Sequence, residues 1–275
     1  MKRRARSASS YIHGFDPVEQ KRLLDQAKYL ERWVYRGIDF MSARRVLEIG
    51  CGVGAQTKIL LERFPRLQID GVDLSESQLA QARHYLRREI SDGRVRLFHA
   101  DASDLTILGR AKYDGAFLCW FLEHVPKPGP VLSEARRLLK PGARLYASEV
   151  FNQSFFLAPP SELIESYWRQ FNERQIELGG DPNVGPKLGA LLSGAGFRKI
   201  STEVRALQFD ARNRRERSRF LEYFAKLTAS GASSLIASGR VDSRSRARIA
   251  SEFGRLKRND STVIHLGFCH AVATR

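Results

Sequence analysis

The stretch VLEIGCGVGAQT at 46–57 constrains what this chain can fold into more than any other. An apolar run carries a carboxylate, Glu48, near its end and then breaks into alternating glycines, Gly50, Gly52 and Gly54, before helix-forming residues resume at Ala55. This reads as a buried strand, a tight turn and a helix start. In an open α/β sheet, ligands sit beyond the carboxyl ends of the strands. Bare backbone there lets a flat or extended ligand lie against the chain.

The flanking residues repeat the alternation. RRVLEIG, LQIDGVDL, RVRLFHAD, YDGAFLCW and ARLYASEVF read as strands, and AQTKILLERF, SESQLAQARHYLRREI and VLSEARRLLKPG as helices between them. Strands alternating with helices imply a Rossmann-like α/β fold, a parallel doubly wound sheet with right-handed crossovers. Upstream, Asp16 can cap a helix, Pro17 suits its first position and Glu19 completes a capping box; Ser75 and Gln78 offer the same device later. Residues 152–196 read as a helix, a Gly/Pro turn and a second helix. A strand follows at RKISTEVRALQFD, then an arginine-rich helical stretch over 211–260, then a final strand in STVIHLGFCHAVATR. The two late strands suggest an antiparallel addition to the sheet edge. The chain therefore divides into a disordered basic tail (1–10), an N-terminal helix (11–44), a ligand-binding core (45–151) and a helical addition carrying the last two strands (152–275).

Three acidic positions narrow the ligand. Asp73 arrives at the end of the second strand, where a carboxylate can accept both hydroxyls of a ribose. In HADASDL, Asp101 suits the adenine amino group and the Ala102 N–H a ring nitrogen. The glycines alone also fit a dinucleotide pattern. Glu48 decides between the two, because a negative charge there repels a pyrophosphate and suits a ligand carrying an ammonium and a sulfonium.

Through VLEIGCGVG, IDGVDLS, HADASDL, YDGAFLCWFLEHV and RRLLKPGARLYASEV, in that order and spacing, residues 45–150 resemble the class I S-adenosylmethionine-dependent methyltransferases. YIHGFDPVEQKRLLDQA, GCGVGAQT and GGDPNVGPKLGALLSGAGF are similar to a small-molecule subset whose N-terminal segment forms a lid over the cofactor. The resemblance implies a seven-stranded, mostly parallel sheet with an antiparallel last strand beside the fifth, and helical lid additions. It implies that Gly50, Cys51 and Gly52 line the methionine part of S-adenosyl-L-methionine, Asp73 and Leu74 the ribose and adenine, and Asp101 and Ala102 the adenine ring. Glu48 joins that set, Cys119 lies near the sulfonium, Gln56 and Gln78 add contacts, and Tyr11 and His13 close the site. The product would be S-adenosyl-L-homocysteine.

Methyl transfer is an in-line displacement, so the enzyme mainly aligns the nucleophile and excludes water. His124 and His13 are the candidate bases for a protic acceptor, set against a reading in which each only ties a loop. Trp120 and Trp168 are candidate walls of an acceptor pocket, and such faces suit an apolar or cationic molecule. The expected acceptor is a small molecule methylated at nitrogen, oxygen or carbon.

Charge offers a second reading. The 275 residues carry 46 basic and 30 acidic side chains, a net +16, densest at ARNRRERSRF. A nucleic-acid or other polyanion-directed methyltransferase would explain that excess. The favoured reading is a solvated arginine face, because LCWFLEHV lacks the Asn/Asp-Pro-Pro-aromatic turn of amino-directed nucleobase enzymes. Cys51, Cys119 and Cys269 lack metal-ligand spacing, so neither a disulfide framework nor a metal is expected. No apolar run is long enough for a membrane span and none follows the basic start, so a cytoplasmic protein is expected. Self-association is left open.

Overall fold

The computed structural model describes residues 11–275, so the tail expected at 1–10 lies outside the described residues. Helix α1 (Pro17–Val34) precedes an alternating core of β1 (Arg45–Ile49), α2 (Ala55–Arg63), β2 (Gln68–Asp73), α3 (Glu76–Tyr85), α4 (Arg87–Ser91), β3 (Val95–His99), β4 (Tyr113–Cys119), α5 (Pro128–Leu138) and β5 (Leu139–Ala158). The remainder runs α6 (Glu162–Glu177), α7 (Leu188–Gly194), β6 (Arg198–Phe209), α8 (Arg214–Ser230), α9 (Ala232–Ala237), α10 (Ser245–Arg258) and β7 (Val263–Thr274). One helix expected after β2 is two, divided at Leu86.

All seven strands form one sheet in the order β3-β2-β1-β4-β5-β7-β6. The first five strands pair in parallel, whereas β7 is antiparallel to both β5 and β6. The antiparallel strand is therefore inserted, and β6 holds the edge. The expected antiparallel last strand beside the fifth is thus found, and β7 with β6 extends the parallel sheet beyond β5. The chain leaves β6 along α8 to α10 and returns between β5 and β6, where both neighbours supply ladder bonds. β5 runs past 151 to Ala158, with a register shift between Phe151 and Phe156.

Helices cover both faces, so the inner strands are apolar on each side. In β1, Val46 packs into one core cluster while Leu47 and Ile49 pack into the other. Asp16 caps α1 by accepting from the Val18 and Glu19 amides. The expected capping boxes are half made. Glu19 turns away to bind Arg22, and Gln78 accepts instead from Gln20 Nε2 at 3.2 Å, although Ser75 does accept from the Gln78 amide.

The arginine-rich stretch is only partly a solvated face. Arg214 and Arg219 are exposed and paired with Asp260 and Glu216, but Arg217 is 2% exposed. Its Nη1 donates to the Asp260 and Thr262 carbonyls at 2.9 and 3.3 Å, fixing α8 to the start of β7. Among the described residues, no helix is long and apolar enough to cross a membrane.

Candidate active site

The three glycines after β1 share a positive φ, at +76°, +52° and +79°, yet each has different surroundings. A Cβ on Gly50 would stand 2.2 Å from the Phe121 ring, and one on Gly54 2.5 Å from Leu86. A Cβ on Gly52 would meet nothing within 4 Å. The side-chain-free wall expected across Gly50 and Gly52 is therefore open at Gly52 alone. Gly50 is bare to seat Phe121, and Gly54 to seat the helix junction. Cys51 is buried with its thiol against Gly71 of β2, so its backbone is the part that borders the turn.

Asp73 ties the turn to β2. Its Oδ2 accepts from the Gly52 amide at 2.9 Å and its Oδ1 from the Ser75 amide at 2.8 Å. Burial pushes its carboxyl up, and these amides pull it back. Each oxygen keeps a lone pair for a further donor. Leu74 beside it is 47% exposed, an apolar face at the carboxyl edge of the sheet. Asp101 follows β3; its Oδ1 accepts from the Ser103 amide at 2.8 Å, and Ala102 is buried next to it. Gln56, in the first turn of α2, accepts from the Tyr35 hydroxyl at 2.7 Å and reaches Cys119 Sγ at 3.6 Å. Thus the ends of β1, β2, β3 and β4 bring Gly52, Asp73, Asp101 and Cys119 to one edge.

Two expected ligands face inward. Glu48 is 2% exposed, accepts from Thr57 Oγ1 at 2.6 Å, and is pushed by burial up to about 8. Burial there disfavours the standing negative charge that was expected, because low-dielectric surroundings penalise the ionised form. Gln78 is buried against Gln20 of α1, joining the N-terminal helix to the core.

Beyond β4 lies a cavity. Trp120 holds φ +51° and donates its amide to Ser148, while Glu149 accepts from the Phe121 and Leu122 amides at 3.1 and 2.9 Å. Glu149 therefore serves the loop that carries Trp120 and His124. Tyr11, His13, Trp120, His124, Trp168 and Phe268 are among the walls. Tyr11 packs edge-on to His124 with ring centres 4.7 Å apart, and His13 lies 5.9 Å from His124. Trp168 is stacked on Phe171 and donates Nε1 to the Asn152 carbonyl, so it is packed as well as lining. Burial, reinforced by the Arg22 charge, pushes His124 down to about 3 and His13 well below the usual imidazole range.

Sequence reasoning missed Arg22 and Phe121. Arg22 is 8% exposed in the cavity wall, held by Glu19 at 2.6 Å. The signal was present, since Glu19, Arg22 and Gln26 recur at helical spacing, but such a stripe reads as solvated until a lid is known to cover it. Phe121 gave no signal because its contact with Gly50 crosses two strands.

The chain has relatives of known kind. Residues 47–145 match the family described as a methyltransferase domain. An O-methyltransferase of Penicillium expansum is 29% identical over 71% of this chain and 68% of that protein. A ubiquinone biosynthesis O-methyltransferase of Leptothrix cholodnii is 30% identical over 52% of this chain and 61% of that one. Among solved structures, the phosphoethanolamine N-methyltransferase 2 of Haemonchus contortus, in complex with phosphomonomethylethanolamine and S-adenosylhomocysteine, has TM-score 0.59 at 17% identity, over 96% of this chain and 60% of that chain. At that identity the likeness speaks for the fold. The glycine turn thus lies in a methyltransferase domain, and these likenesses together support a class I S-adenosylmethionine-dependent methyltransferase acting on small molecules.

Proposed function

We propose that this methyltransferase acts on a hydroxyl oxygen of a small, largely apolar acceptor seated in the aromatic cavity, and that His13 takes the proton. The supporting observation is the bonding of His13. Its Nδ1 lies 2.6 Å from Ser230 Oγ, and that hydroxyl donates to the Leu227 carbonyl at 2.6 Å. The serine proton is thereby committed, so Nδ1 carries the hydrogen and donates, leaving the Nε2 lone pair free. That tautomer is assigned from the bonds around it. His124 differs, because its Nε2 lies 3.6 Å from Glu123.

The cofactor cradle fits S-adenosylmethionine. Gly52 offers open backbone, Asp73 a carboxylate for the ribose hydroxyls, Asp101 and Ala102 an acceptor and a donor for adenine, and Cys119 the end of β4, within reach of Gln56 and next to Trp120 of the cavity wall. When bound, the cofactor supplies an electrophilic methyl on a sulfonium. The chain's share is alignment and exclusion of water by Tyr11, Trp120 and Trp168. A neutral imidazole with a depressed pKa is a weak base toward a resting hydroxyl. It suffices here, since the hydroxyl becomes strongly acidic as its oxygen gains the methyl, and the O–H electrons stay on oxygen while the proton passes to Nε2. The relatives named O-methyltransferases support an oxygen acceptor.

The test is His13→Gln, measured with a phenolic acceptor. Turnover should fall roughly 10²- to 10⁴-fold, the usual range for losing a general base, while S-adenosylhomocysteine affinity changes little. Unchanged turnover would remove His13 from the chemistry.

A further inference from the structure

Arg22 is the only arginine or lysine among the described residues lining the aromatic cavity. Its Nε and Nη2 both donate to Glu19 at 2.6 Å, and Nη1 donates to Gln26 Oε1 at 2.5 Å. A guanidinium has five N–H bonds, and these contacts use three. Two remain on a buried side chain in the cavity wall, where donors without partners are costly.

Charge decides what they can take. Glu19 already balances the guanidinium, and Glu123 lines the same cavity with a carboxyl raised by burial to about 7. An anionic acceptor would crowd further negative charge onto one cation. An ammonium would be set against Arg22 itself. A neutral oxygen with lone pairs meets neither penalty and satisfies the unused donors.

We infer that Arg22 is a specificity-determining residue, and that its two remaining N–H bonds take a carbonyl oxygen on a neutral, ring-containing acceptor. The class of substrate is then a hydroxylated aryl ketone or a similar molecule carrying a hydroxyl and a neutral carbonyl. This deepens the reading of a hydroxyl acceptor and rests on it, but binding through the carbonyl requires no turnover. Helix α1 becomes part of the acceptor site, which explains why a covering segment carries a buried ion pair.

The experiment saturates the protein with S-adenosylhomocysteine and titrates acetophenone, ethylbenzene and benzoate by ligand-observed NMR. Acetophenone should bind about tenfold more tightly than ethylbenzene, near the low end for a hydrogen bond to a charged group, and benzoate should bind most weakly. The double variant Glu19→Gln with Arg22→Met removes both charges of the buried pair together and should close the tenfold gap. Glu19→Gln alone leaves the cation unmatched and should move benzoate ahead of acetophenone. Benzoate binding best in the natural protein, or a gap that survives the double variant, would overturn the inference. Should the double variant fail to fold, the natural ranking and Glu19→Gln decide. If acetophenone binds as stated but 2′-hydroxyacetophenone is not methylated, the hydroxyl reading fails and the carbonyl site stands.

Discussion

Gly50 and Gly52 stand two residues apart in one turn and answer to different constraints. A methyl on Gly50 must displace the Phe121 ring, whereas one on Gly52 enters open space and meets only backbone strain. Gly52→Ala should therefore cost about 1–2 kcal/mol of stability and much of the cofactor affinity, while Gly50→Ala should cost more stability. Thermal unfolding and calorimetry with S-adenosylhomocysteine separate the two. Asp73→Asn should weaken that binding by about 1.5–3 kcal/mol; unchanged affinity would take Asp73 out of the site. His13 and His124 are neutral far below pH 6.5, because burial and Arg22 depress both. Turnover of a Glu123→Gln variant should thus show no limb at the ordinary imidazole value of about 6.5, and such a limb would contradict the depression of His13 by its burial. Asp73 was legible in the sequence because its spacing from the glycines is set by one crossover. The division of labour among the glycines was not, since it depends on which side chains fold back onto them.

At the scale of elements, α1 and α8 show where a helical pattern misleads. Apolar spacing and the Asp16 cap locate α1, yet its polar stripe faces the cavity rather than water. A similar stripe on α8 hides Arg217, whose guanidinium grips two carbonyls beyond α10. Arg217→Met should destabilise by about 3 kcal/mol, the loss of charge-assisted bonds in a buried site, whereas Arg215→Ala should stay within about 0.5 kcal/mol. Chemical denaturation of both variants measures the contrast, and equal effects would return Arg217 to the solvated face. Removing residues 1–14 takes away Tyr11 and His13 and also Ile12, which is 2% exposed in the core. Such a truncation should lower both stability and cofactor retention, so it is a less clean test of a lid than point changes at Tyr11 or His13.

For the whole molecule, alternation made the five parallel strands legible, and hydrophobic runs made the last two visible as strands. Their order was not legible from pattern alone, because β7 reads as a strand wherever it pairs; the antiparallel insertion came from family resemblance. The same buried architecture sets the response to pH. Burial raises Glu48 and Glu149 to about 8 and Glu123 to about 7, so the folded chain holds protons that the unfolded chain releases above about pH 4.5. Stability from these groups is full below that pH and is lost as pH rises through 7 to 8. His124 and His270, lowered to about 3 and about 4, act oppositely and cost stability as pH falls below about 6.5. The melting temperature of the ligand-free protein should peak near about pH 6 and fall toward pH 9, with the alkaline fall reduced in Glu149→Gln. The most direct test of the central claim follows the methyl group itself. The protein is incubated with methyl-labelled S-adenosylmethionine and, in parallel, a hydroxylated aryl ketone, the matching aryl amine and mixed RNA. Label should appear in an extractable methyl ether and fall sharply with His13→Gln, whereas label in the RNA or the amine, with none in the ether, would contradict the account.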